Sequence, residues 1–136
     1  MPGRRDFLKS SLAAVTAATV LRPWKAFAAK GSFLAGIIYT ADREGKWAGK
    51  AGSHAPKVSV EGAKVTITTA HPMSEVHFIV RHTLVAPDGT VLGAATFKPA
   101  DEKAVSSYDL PAGISGTLSA TSFCNLHDFW LTEFTV

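Results

Sequence analysis

The sequence predicts an all-β domain behind an N-terminal export signal. Three observations carry that reading. Beyond residue 30 the apolar residues alternate with period two instead of recurring at helical spacing. Clusters such as Asp88-Gly89, Lys98-Pro99-Ala100-Asp101 and Pro111-Ala112-Gly113 cut the chain into short segments. Before residue 30 the composition is that of a targeting peptide.

The targeting peptide comes first. Arg4-Arg5-Asp6-Phe7-Leu8-Lys9 is a twin-arginine signature, followed by an Ala-rich apolar run from Leu12 to Leu21. Ala26-Phe27-Ala28 places small residues where a signal peptidase reads them, so a signal peptide is expected over residues 1–28. The apolar run is about half of the roughly 20 residues a membrane-spanning helix needs. No stable membrane anchor is therefore expected, and the mature protein should be periplasmic or otherwise exported. The whole chain has a formal charge of +3, but residues 29–136 hold nine basic against ten acidic residues. No basic patch remains to suggest nucleic acid as a partner.

Residues 29–136 suit one domain. Phe33 to Tyr39 reads as a short strand or helix that leads into a long polar loop punctuated by Gly45, Gly49 and Gly52. Lys64 to Thr68 alternates cleanly. Glu75 to Ala86 is rich in β-branched and aromatic residues, Asp88-Gly89 is a hairpin turn, and Val91 to Phe97 returns from it. Lys103 to Leu110, Gly116 to Phe123 and Phe129 to Val136 complete six or seven strands, with no helix after the signal. Their number and spacing fit an immunoglobulin-like antiparallel β-sandwich.

The chemistry-bearing residues are five histidines and one cysteine. Cys124 has no partner for an internal disulfide, so in an oxidising compartment it is either a hazard or a ligand. His71 and His77 bracket one segment, with His71 at a strand-to-loop junction and His77 inside the following strand. Cys124 and His127 form a Cys-x-x-His pair, and His54 precedes Ala55-Pro56. His82 stands apart. In a regular strand it faces away from His77 and reads as structural or surface.

Imidazoles with one thiolate suit iron, copper or zinc. A closed tetrahedral zinc site wants four ligands, and five candidates exceed it. A blue-copper site wants an axial methionine soon after the Cys-x-x-His segment, and no methionine follows Met73.

The phrases His54-Ala55-Pro56, His71-Pro72-Met73-(x3)-His77 and Cys124-Asn125-Leu126-His127-(x2)-Trp130 resemble the superoxide reductase family, which includes neelaredoxin and the iron domain of desulfoferrodoxin. Trp47 fits the same pattern, and the resemblance covers about residues 47–131. It implies a seven-stranded immunoglobulin-like sandwich binding one iron per chain. His54, His71, His77 and His127 would be the equatorial ligands and Cys124 the axial thiolate, leaving the sixth position open to solvent. Superoxide would be reduced by one electron to hydrogen peroxide. An external donor, rubredoxin-like or periplasmic cytochrome-like, would restore the iron, and relatives form dimers or tetramers. Backbone N–H groups around Asn125 and Leu126 are expected to hydrogen-bond the sulfur. One cysteine leaves no room for a second, four-cysteine iron site.

The chain departs from the family pattern in two places. The usual Glu-Lys pair before the first histidine is Gly52-Ser53, which leaves Lys50 as the nearest cation and catalytic candidate, with Lys57 a weaker one. Asp128 stands where a glycine is usual. The missing pair keeps open a non-catalytic iron-binding or electron-transfer module. A cupredoxin-like copper carrier is disfavoured by the absent methionine.

Overall fold

The computed structural model describes residues 33–136. The signal peptide expected over residues 1–28 lies outside the described residues. Among the described residues there are eight strands: β1 (Ile38–Tyr39), β2 (Lys57–Glu61), β3 (Lys64–Thr69), β4 (Ile79–Val85), β5 (Val91–Thr96), β6 (Ala104–Asp109), β7 (Thr117–Cys124) and β8 (Asp128–Thr135). A 3₁₀ turn at Gly45–Trp47 and a four-residue helix, α1 (Ala51–His54), lie between β1 and β2. No helix among them is long and apolar enough to cross a membrane.

The strands form a two-sheet sandwich. One sheet has the order β1-β8-β7-β4-β5 and the other β2-β3-β6. All pairings are antiparallel except β1, which runs parallel to β8 and brings Tyr39 beside Trp130. Alternation explains the core. Val65 and Ile67 of β3 face Leu84 of β4 and Leu118 and Ala120 of β7, and all five are fully buried. Each of the four larger side chains, removed from water, contributes about 1.5–3 kcal/mol before chain entropy is set against it. At Gly93, β5 comes so close to β6 that an added Cβ would run into the Tyr108 ring.

Three local differences from the sequence reading matter for the site. The polar loop is not helix-free: α1 forms over Ala51–His54, its first N–H capped by Glu44 Oε2 at 2.8 Å. Lys57–Glu61 is a strand, unread because it is an exposed edge with only Val58 packed on the core. The strand expected from Glu75 begins only at Ile79, so His77 lies in the preceding loop and not inside the strand. That strand is also irregular. Its pairing with β7 shifts between Ile79 and Arg81, which lets Ile79 and His82 both point inward despite their odd spacing.

Candidate metal centre

Three loops at one end of the sandwich bring the candidate ligands together. The β7–β8 hairpin is the first. Cys124 and Asp128 are its last paired residues, and Asn125-Leu126-His127 is the three-residue turn between them. Such a turn needs a left-handed residue at its exit, which Asp128 supplies at φ 63. Aspartate tolerates this conformation better than most residues. The tight turn is why Cys-x-x-His spacing aims a core-facing thiol and a turn imidazole at one point.

The β3–β4 loop supplies two histidines. Ser74 and His77 exchange backbone hydrogen bonds of 3.1 and 3.2 Å, folding the loop back so that His77 meets His71. Asn125 ties this loop to the hairpin. Its side-chain oxygen accepts from Phe78 N–H at 3.0 Å and its amide donates to the Val76 carbonyl at 3.0 Å. Both peptide groups flanking His77 are therefore held by the residue next to Cys124. The third loop carries α1. The Nδ1 atom of His54 lies 2.8 Å from Ser53 Oγ and 3.1 Å from the Lys50 carbonyl, which turns Nε2 inward.

The donor atoms of His54, His77, Cys124 and His127 lie within 4.8 Å of one another. His127 Nδ1 is 3.0 Å from His54 Nε2, 2.9 Å from His77 Nε2 and 3.7 Å from Cys124 Sγ. His71 falls outside the tightest group, but its Nε2 is 3.0 Å from His77 Nε2 and its ring packs against His54 at 4.6 Å.

Hydrogen bonding alone does not account for this arrangement. A neutral imidazole nitrogen has either one proton or one lone pair to share, and His127 Nδ1 faces three partners. A common cation satisfies all of them at once. Two nitrogens bound at right angles, each about 2.1 Å from an ion, are about 3.0 Å apart, the spacing seen here. The residues fit one transition metal that accepts both imidazole and thiolate.

The electrostatics suit metal binding. Burial pushes His54 down to about 4, with the neighbouring His71 adding to the effect. Burial also lowers His71 and His127, and the Lys50 charge acts on both in the same direction. Lys50 is exposed and close enough for its ammonium to be felt at the site. Burial raises the Cys124 thiol, opposed by backbone N–H groups of Leu126 and His127. Those two residues, and not Asn125, therefore supply the N–H groups at the sulfur. The Asn125 N–H is spent on the Phe78 carbonyl at 3.2 Å.

His82 is structural. It is fully buried between the sheets, with Nε2 2.8 Å from Thr69 Oγ1 and Nδ1 2.8 Å from Ser106 Oγ. Thr69 in turn donates to Ser122. Sequence reasoning missed Glu44, Lys46 and the side-chain roles of Ser53 and Asn125, since nothing in their spacing marks them. Only adjacency to a ligand, for Ser53 and Asn125, was available as a signal.

Comparison with curated protein sequences finds no match. Among solved structures, the chain is similar to the superoxide reductase (neelaredoxin) of Ignicoccus hospitalis. The two are 28% identical with a TM-score of 0.63, covering 77% of this chain and 98% of that one. It is also similar to the superoxide reductase (1Fe-SOR) of Giardia intestinalis, at 26% identity and a TM-score of 0.57, covering 62% of this chain and 98% of that one. The family described as Desulfoferrodoxin matches residues 45–133. That span holds the whole His and Cys cluster and most of the chain, and the protein belongs to the desulfoferrodoxin family.

Proposed function

We propose that this protein is a one-iron superoxide reductase. The observation that carries the reading is the shared focus of His54, His77, His127 and Cys124, with His71 alongside, in a chain of this family. Bound iron supplies the one electron that superoxide accepts. With two protons the product is hydrogen peroxide, and an external donor returns the electron.

The chain's own residues prepare that step. Burial keeps His54, His71 and His127 neutral at pH 7, so their lone pairs are free to bind. Cys124 would lose its proton to hold the iron as a thiolate, and its sulfur would supply electron density to the metal. The Leu126 and His127 N–H groups temper that donation. Lys50 is the cation for the anionic substrate. It draws superoxide toward the imidazole face and can supply a proton to the product. Replacing Lys50 with alanine should slow the bimolecular rate by about tenfold at low salt, from the usual scale of electrostatic steering. Iron content should not change.

The same reading places the protein outside the cytoplasm. Residues 1–28 carry a twin-arginine signal, and the donor is then a periplasmic cytochrome-like or rubredoxin-like protein. We assign the sandwich to the immunoglobulin-like class and expect dimers or tetramers. The loss of an acid and a cation at Gly52 and Ser53 favours one second reading, a non-catalytic electron-transfer module on this scaffold.

Pulsed superoxide delivered to the ferrous protein separates the two. Oxidation of one iron per superoxide, with peroxide formed and no dioxygen evolved, is the expected result. A ferrous form inert to superoxide overturns the reductase reading in favour of the carrier.

A further inference from the structure

Asp128 is the only described non-glycine residue at positive φ, at 63°. The hairpin turn requires that conformation and aspartate tolerates it, so the side chain's role is read from its contacts. The contacts here are specific. Asp128 Oδ2 accepts from the Trp47 indole N–H at 3.0 Å and from the Lys46 ammonium at 3.0 Å. Lys46 also lies over the Trp47 ring, 4.8 Å from its centroid. The indole meets the His127 imidazole at a centroid distance of 4.6 Å and an interplanar angle of 89°. One residue beyond His127, a carboxylate thus fixes the ring that packs against His127.

We propose that Asp128 is a positioning residue. It holds the His127 imidazole in the metal site through the Trp47 indole, with Lys46 fixing the carboxylate. The contact is built across 81 residues of sequence, from the 3₁₀ turn to the β7–β8 hairpin. It therefore locks the loop before α1 onto the hairpin that carries Cys124 and His127. The inference rests on His127 being a metal ligand.

The test uses metal affinity and spectra of the full-length chain. Zinc binding is measured by chelator competition, and the visible spectrum of the cobalt form reports ligand geometry. Wild type should bind one zinc, and H127A should bind it far more weakly. Failure of either sinks the metal assignment itself, separately from this inference. D128G should lose about tenfold in zinc affinity, the usual scale for a group that orients a ligand, and shift the cobalt spectrum. Its metal-free form should change little in stability, because the exposed ion pair it loses contributes little and glycine adopts positive φ without steric strain. D128N should restore affinity and spectrum, since its amide oxygen still accepts from the indole. The inference is overturned if D128G binds zinc as wild type does, if D128N falls as far as D128G, or if affinity drops only in step with metal-free stability.

Discussion

At the scale of single residues, protonation decides what the site can do. In the metal-free protein Cys124 is held as a thiol by burial, while His54, His71 and His127 are held neutral. Metal uptake at pH 7 should therefore release the thiol proton. Saturating zinc added in weak buffer should show that release in wild type and not in C124A. His82 sets a different pH response. Burial pushes its pKa down from 6.5 to about 4. A histidine kept neutral by folding contributes its full stability above about pH 6.5. That contribution is lost as pH falls toward 4, because the unfolded chain takes up the proton first. In denaturation of the metal-free protein His82 should account for a loss of up to about 3 kcal/mol across that window, on top of the contribution of His54. H82N should flatten that part of the profile. The candidate residues were legible in the sequence because His and Cys are few and their spacings are specific, and the fold brings His54, His77, Cys124 and His127 together with His71 alongside. Ser53 was read only as a missing lysine. Its role on His54 Nδ1 is visible only once α1 turns the two side chains together.

At the scale of elements, the hairpin and its neighbouring loop make the site. The strands read over Gly116 to Phe123 and Phe129 to Val136 correspond closely to β7 and β8, which leaves the Cys-x-x-His segment at the short turn between them. The start of β4 was not legible. Glu75 to Phe78 has strand-like composition, but the Ser74–His77 turn and the Asn125 clamp win over that propensity. N125A should free the peptide groups around His77 and lower zinc affinity by about tenfold. Near-unchanged unfolding of the metal-free chain would accompany it, because both lost bonds are exposed. A substitution far from the metal tests the sheet packing independently. G93A should destabilise the domain by about 1–3 kcal/mol through overpacking against Tyr108, with zinc affinity unaltered. The edge strand β2 left no signal of its own, because its outward residues are all exposed and pairing with β3 defines it.

At the scale of the whole molecule, the sandwich is a rigid frame that presents three loops to one point. Two small clusters sit beneath the ligands. Tyr39, Ala55 and Trp130 lie on the His54 and His127 side, and Ile79 and Ala104 pack around Cys124. Candidate ligands that are distant in sequence, such as His54 and His127, are thus brought together by packing, while Cys124 and His127 share one local turn. That is why the all-β class was readable from alternation and turns, while the order of strands in the two sheets was not. The most direct measurement is X-ray absorption spectroscopy of the iron-loaded ferrous protein, compared with C124A. The predicted result is one iron per chain with one sulfur and four imidazole nitrogens, the sulfur vanishing in C124A. An iron shell without sulfur in the wild type, or one unchanged in C124A, would contradict it.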